Sequence, residues 1–403
     1  MDQSGESTDR HGTTDGDERL VTGYGGTLFL LISIGWFGVT IGRQILPPVL
    51  PVVISDLGIT PFQAGAALTV LWAMRALNNY PGGRLADQLS RKTVLVGAMV
   101  VLTLGFALLS AAIVYPLFIF AVAVIGVGAG LYSVSIRAAT ADLYVEKRAQ
   151  AFGLQNAISM VGSASAAGVA VFILAIGTWR SAFLPTAFFF IVIVFLLHRR
   201  MREPYVLDTV DLAVTETTQR ILGTTTVRRA LVAYVLWFFA WQGMIGFLPT
   251  FLQVEKEFSP ALASAGFAAV YVIGIGVGPL SGAIGDRYTK LPVVIGSLLI
   301  SALGLASLLV ADSLVVIAAA IFTVAVGFIS FPPAMQAYLM DTFDDASMGG
   351  DLGAVKTIYG VVGSLGPTYV GLVAVQWNYS IAFGGIVVCL LAGLFVVISS
   401  WHS

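Results

Sequence analysis

Twelve apolar runs, each long enough for a bilayer-crossing helix and joined mostly by short turns, dominate this chain of 403 residues. They fall near 26–54, 62–82, 93–114, 116–139, 149–176, 181–198, 230–252, 261–284, 292–311, 313–338, 351–375 and 379–400. A helix needs about 20 apolar residues to cross the hydrocarbon core, where no water can satisfy an open backbone. Each run therefore predicts a transmembrane span. Only 11% of residues are charged, against roughly 25% in a soluble domain, and 57% are hydrophobic. A soluble fold could not hide that much apolar surface. The 44 glycines suit helices packed closely in lipid. A net charge of −1 argues against nucleic acid as a partner. The single cysteine, Cys389, excludes an intrachain disulfide and reads as a packing residue.

Two segments break the pattern. Residues 1–23 carry six carboxylates, Arg10 and Arg19, and no apolar run, so they read as a disordered acidic tail and not a signal peptide. Residues 199–229, with Arg199, Arg200, Arg202, Arg220, Arg228 and Arg229, form a polar linker. It divides the chain into one six-span bundle over 24–198 and another over 230–400. With the N-terminus in the cytoplasm, fifteen Lys and Arg face the cytoplasm and only Arg180 and Lys256 the other side. The positive-inside rule then predicts a multi-pass plasma-membrane protein with both termini cytoplasmic.

The chain also matches itself at a shift of 199 residues: Gly83 falls on Gly282, Asp87 on Asp286, Gly105 on Gly304, Gly128 on Gly327 and Asp142 on Asp341. At a shift of 200, Gly153 falls on Gly353. Such a duplication predicts two bundles related by a pseudo-twofold axis, with a site between them. The loop after span 2, Gly83-Arg84-Leu85-Ala86-Asp87-Gln88-Leu89-Ser90-Arg91-Lys92, resembles the signature of the major facilitator superfamily, Gly-x-x-x-Asp-(Arg/Lys)-x-Gly-(Arg/Lys)-(Arg/Lys). The loop after span 8, from Gly282 through Asp286 and Arg287 to Lys290, repeats it. Gln88 stands where the family has a base, and Ser90 and Thr289 where it has glycines. The resemblance covers residues 25–400. It implies an all-α membrane carrier, monomeric and without a cofactor, that works by alternating access. It also implies a cytoplasmic latch. Asp87, Arg91, Asp142 and Arg148 are its members here, with Gly83, Gly282, Asp286 and Arg287 in the signature loops; the other reading is a solvated charged face. The signature glycines are expected where helix ends approach closely.

Four cations belong to neither face: Arg43, Arg75, Arg137 and Lys356. Arg43 lies about 25 Å into span 1 at 1.5 Å per residue, too deep for easy snorkelling. A cation at that depth costs about 2.5–3.5 kcal/mol unless a cavity or partner receives it. The repeat places Gln242 opposite Arg43, Gln336 opposite Arg137 and Asn156 opposite Lys356. These positions fall on spans that line the central cavity in the resembled family. No Asp, Glu or His lies in the middle of a span. A net positive cavity predicts an anionic small-molecule substrate, because guanidinium forks fit carboxylate and phosphate. Substrate-binding candidates are thus Arg43, Arg75, Arg137, Asn156, Gln242, Gln336, Lys356 and Tyr359. Arg43 ranks first. Arg75 has backbone carbonyls as an alternative partner, Arg137 the latch, and Lys356 the nearby Asp351. Trp241, Tyr271 and Tyr359 are placed to line the cavity but read first as packing aromatics.

With no carboxylate in mid-span, exchange or facilitated transport is favoured over proton symport. The competing reading is an efflux carrier of neutral or cationic compounds. Two departures from that branch count against it. Val122 and Ile125-Gly126 stand in span 4 where efflux carriers show an Arg and a Gln-Gly step, and Gly162-Ser163-Ala164 opens the span 5 stretch where they show Gly-Pro. A catalytic function finds no nucleotide loop, catalytic triad or Cys/His cluster to support it.

Overall fold

The computed structural model describes residues 20–208, 225–287, 289–343 and 348–401. Most of the expected acidic tail, the middle of the linker with Arg220, and the side chain of Asp286 lie outside the described residues. Three spans are built from two helices each. Span 1 is α1 (Gly23–Gln44) and α2 (Leu46–Leu57), and span 2 is α3 (Pro61–Leu77) and α4 (Asn79–Gln88). The single-helix spans that follow are α5 (Arg91–Ser110), α6 (Tyr115–Leu143), α7 (Arg148–Ile176), α8 (Phe183–Arg200), α9 (Thr225–Val254), α10 (Pro260–Arg287), α11 (Lys290–Val310) and α12 (Leu314–Met340). Span 11 is α13 (Met348–Gly363) and α14 (Gly366–Gln376), and α15 (Tyr379–Trp401) is span 12.

The breaks have local causes. Pro47 and Pro48 follow Ile45, and Pro367 follows the Ser364-Leu365 step; proline supplies no N–H and crowds the preceding turn. Eleven spans have the length and hydropathy to cross a membrane. The twelfth, 61–88, is divided at Asn78 and carries Arg75, Arg84 and Asp87, because it lines the interior described below. The described part of span 7 begins at Thr225, a turn or more before its apolar run, with the exposed Arg228 and half-buried Arg229 in its polar first turns.

Spans 1–6 pack as one bundle and spans 7–12 as the other. Four of the glycines that match across the repeat sit at close helix crossings. A Cβ on Gly105 would sit 2.9 Å from the Ile125 nitrogen, and one on Gly128 3.0 Å from the Leu102 nitrogen. In the second bundle a Cβ on Gly304 would sit 2.6 Å from the Val324 nitrogen, and one on Gly327 would collide with the Ser301 backbone. These four glycines let span 3 touch span 4, and span 9 touch span 10, backbone to backbone. The signature glycines do not behave this way. A Cβ on Gly83 would meet only the Val134 side chain at 3.7 Å, and one on Gly282 nothing within 4 Å. The expected close approach is absent at both because they flank open space instead of a crossing.

The Tyr144 hydroxyl donates to Leu20 O (2.8 Å), Arg202 N donates to the Tyr24 hydroxyl (3.2 Å), and Arg229 donates to Ser399 O (3.4 Å). Both ends of the chain and the linker therefore share one face, here called basal. The opposite, distal face is tied by matched clamps. Asp56 accepts from Trp179 Nε1 (3.1 Å) and pairs with Arg180 (2.6 Å), which also donates to Ala112 O (2.7 Å). In the second bundle Glu255 accepts from Tyr379 N (2.9 Å) and Ser380 Oγ (3.0 Å), while Lys256 donates to Ala311 O (2.7 Å).

Gly128→Leu is expected to force spans 3 and 4 apart, costing about 1–3 kcal/mol by overpacking. Gly97→Ala, with open space at its Cβ, leaves stability unchanged. Size-exclusion profiles and melting of the two purified variants check this; equal behaviour would contradict the crossing role.

Candidate functional site

The two bundles meet along their distal halves. Thr69 Oγ1 donates to Ser364 O (2.7 Å) and accepts from Thr368 Oγ1 (2.7 Å) and Thr368 N (3.2 Å). A side chain on Gly65 would collide with the Pro367 backbone, and one on Gly371 with that of Pro61. Spans 2 and 11 thus touch backbone to backbone. Gln44 donates to the Tyr271 hydroxyl between spans 1 and 8. Together these contacts form a distal seal.

Arg43 and Gln242 lie behind that seal and line neither of the cavities below. The sequence reading placed both in the cavity wall. Their spans instead close on one another at this level, with α2 packed against α9. Arg43 is 6% exposed and holds its guanidinium 4.4 Å from the Trp72 ring centroid, so a cation–π contact offsets part of its desolvation. Its Nε and Nη1, and both amide atoms of Gln242, have no hydrogen-bond partner among the described residues.

Below the seal a cavity of about 710 Å³ runs from Arg75 to Asp87, between spans 2, 4, 7, 10 and 11. Arg75, Arg137, Gln336, Lys356 and Tyr359 line it as the sequence led us to expect. Arg84 adds a fourth cation, and among the described residues Asp87 at the basal mouth is its one carboxylate. Arg75 also faces Trp72, at 5.6 Å. Among the described residues no ion pair reaches Arg75, Arg137 or Lys356. Arg75, Arg137 and Lys356 are close enough for their charges to act on one another. Tyr234 stacks on Tyr359 with centroids 4.2 Å apart, walling this basic lobe.

A second lobe of about 560 Å³ lies between spans 5, 7, 8 and 10. Met160, Trp237, Trp241, Phe328 and Ile329 make most of its wall. Asn156 lies here, apart from its repeat mate Lys356, because the pseudo-twofold axis carries spans 5 and 11 to opposite sides. The indoles of Trp237 and Trp241 are parallel, 6.3 Å apart. Pro332 lines both lobes. Sequence inspection passed over Tyr234 and Trp237. Their spacing from Trp241 along α9 is the helical stripe that could have revealed them.

Among the described residues, Asp87, Arg91 and Asp142 of the expected latch form ion pairs within the first bundle, and none of these pairs joins the two bundles. Arg91 pairs with Asp142 (2.8 Å) and Asp87 (3.2 Å), tying the span 2–3 loop to the end of span 4. Its repeat equivalent is Lys290 with Asp341, which the sequence reading missed although the 199 offset from Arg91–Asp142 points to it. Arg287 is exposed and takes no part in that pair. Arg148 meets no carboxylate here; it donates to Ala141 O (3.1 Å) and Tyr144 O (3.3 Å), capping the end of α6. Such exposed pairs contribute under about 1 kcal/mol each, so their weight is geometric.

Bundles sealed at one end and parted around a polar cavity define a multi-pass membrane carrier for a small solute. The chain belongs to the Major Facilitator Superfamily, whose sequence profile matches residues 32–367. Its structure is similar to that of a bacterial homolog of the human lysosomal transporter Spinster in an inward-facing, occupied conformation. There the TM-score is 0.80 at 15% identity, covering 94% of this chain and 97% of that one. The unoccupied inward-facing form of that homolog gives 0.74 at 15% identity over 93% and 95%. A mutant of the nucleoside transporter NupG gives 0.78 at 13% identity over 92% and 99%. These likenesses concern the fold alone. No curated protein matches the sequence.

If the seal opens in the transport cycle, Gln242→Cys in a Cys389→Ser background gains access to water from the distal face. Thr69→Val, which removes the Ser364 and Thr368 hydrogen bonds, is expected to raise its labelling by a membrane-impermeant maleimide several-fold. Labelling that stays at the level of the unmodified seal would contradict this gate.

Proposed function

We propose that this protein carries a small organic or inorganic anion across the plasma membrane as a monomer, by alternating access between the two bundles. The observation that carries the reading is the basic lobe: Arg75, Arg137 and Lys356 share one cavity, and no carboxylate of the described residues pairs with them. Inside a low-dielectric bundle such charges are costly unless a counter-charge arrives, and here the solute supplies it. The two arginines offer bidentate forks to carboxylate or phosphate oxygens, and Lys356 adds a point charge. Gln336 and Tyr359 supply neutral hydrogen-bonding groups beside them.

With the basal face in the cytoplasm, as the Lys and Arg distribution favours, the cavity is open inward and sealed outward. Rocking the bundles about the occupied site would part the Thr69–Thr368 seal and expose Arg43 and Gln242 to water, giving their orphaned polar atoms partners. Arg43 then serves as an outward-state ligand for the same anion. The Arg91–Asp142 and Lys290–Asp341 pairs hold the basal loops in place for closure, with Asp87 at the mouth. Since the cavity's one carboxylate lies at its rim, anion gradients or exchange fit better than proton symport.

A thermal-shift screen of the purified protein against carboxylates, phosphates, amines and neutral solutes tests the substrate class. Stabilisation by anions is expected, with affinity reduced at least ten-fold in Arg137→Ala and Lys356→Ala at unchanged folding. Stabilisation by amines or neutral compounds only, with no response to anions, would overturn the anion reading and leave the carrier fold intact. In vesicles loaded with the best anion, Asp87→Asn is expected to slow uptake; wild-type rates in that variant would remove Asp87 from the gate.

A further inference from the structure

The two lobes occupy equivalent places in the duplicated fold, yet their chemistry is opposite. Arg75 in the basic lobe corresponds at the 199 offset to Gly274 in the aromatic lobe, and Asn79 to Gly278. At the 200 offset Lys356 corresponds to Asn156, and Tyr359 to Ser159. Conversely, Phe328 corresponds to Ala129, Ile275 to Ala76 and Met160 to Gly360. Duplication alone would line both lobes alike. Here the cations are gathered on the side of spans 2 and 11, and the large apolar groups on the side of spans 5 and 8.

We infer that the transported anion is amphipathic: its carboxylate or phosphate head sits among Arg75, Arg137 and Lys356, and its apolar body lies against Trp237, Trp241 and Phe328. This rests on the anion reading above and adds the second half of the molecule. The lobes adjoin at Pro332, which borders both. One molecule can therefore place its head and body in them together. Asn156 is the only non-aromatic side chain in the second lobe that carries a hydrogen-bonding group. A compact inorganic anion would leave that lobe's apolar wall against water. An acyl or aryl group there gains the hydrophobic free energy of its buried surface and stacking or edge contacts with the indoles. A neutral apolar solute, on the other hand, would leave the basic lobe's cations without a counter-charge. A volume of about 560 Å³ is in the range that encloses a chain or ring system of drug-like size.

The test is calorimetric titration of the protein in lipid nanodiscs, with empty nanodiscs as blanks, using octyl phosphate, octanoate, inorganic phosphate, octanol and octyltrimethylammonium. One of the two amphipathic anions is expected to bind at least ten-fold tighter than inorganic phosphate and than octanol. Trp241→Ala is expected to bring that ligand within about three-fold of phosphate while leaving phosphate itself unchanged. If neither amphipathic anion binds tighter than phosphate, the amphipathic solute is overturned and the anion reading stands. If octanol or octyltrimethylammonium matches the amphipathic anions, or if nothing binds, both readings fall. Should Trp241→Ala not fold, the ligand series on the unmodified protein decides the question by itself.

Discussion

The rest of this structure is organised around positive charge held inside an apolar bundle, where among the described residues no carboxylate pairs with Arg43, Arg75, Arg137 or Lys356. A guanidinium in lipid-like surroundings needs water, a counter-ion or an aromatic face. The protein supplies two of these in different places. Arg43, behind the seal, has the face of Trp72; Arg75, Arg137 and Lys356 have an aqueous cavity. The orphaned atoms of Arg43, Arg75 and Gln242 lie along the interface where the bundles meet, on pathway-facing spans 1, 2 and 7. Burying polar atoms without partners costs free energy, so this contact is less stable than an apolar one of the same size. The cost of unpaired polar atoms at the seal therefore belongs to the same design as the cavity below it: both make the closed contact easier to break.

Duplication explains which parts of the two halves stay alike and which diverge. Where backbone must cross backbone, at Gly105 and Gly128 in one bundle and Gly304 and Gly327 in the other, only hydrogen fits, and the halves agree. The surface pairs that pin the basal loops, Arg91–Asp142 and Lys290–Asp341, agree as well, because loop geometry follows helix geometry. On the cavity walls no backbone constraint applies. There Arg75 faces a glycine equivalent, and the indoles of Trp237 and Trp241 correspond to Gly38 and Gly42. Packing keeps the symmetry and the cavity walls depart from it.

Much of the site was legible before any coordinates. Arg75, Arg137, Gln336, Lys356 and Tyr359 stand out as polar or half-polar residues in runs that otherwise exclude them, and all five share the basic lobe. Arg43 stood out for the same reason and lies outside both lobes, behind the seal. Depth along a helix can be counted from its ends, but whether a given depth is open or closed depends on how the two bundles tilt. Asn156 was matched with Lys356 by the repeat, and the two line different lobes, since a twofold axis separates what it relates. The aromatic lobe was hidden because tryptophan and phenylalanine look the same in a sequence whether they fill a core or line a void.

The amino-acid sequence by itself determined the spans, the duplication and the excess of cations. These follow from hydropathy, helical rise and charge, all of which are local or periodic along the chain. Only the tertiary structure decided that the distal ends are sealed, that Arg43 and Gln242 lie behind that seal, and that the pathway has one basic and one apolar side. Those properties depend on the rotation of each helix about its own axis and on the tilt between bundles. Both are set by contacts among residues hundreds of positions apart, such as Thr69 with Thr368, which no local pattern encodes.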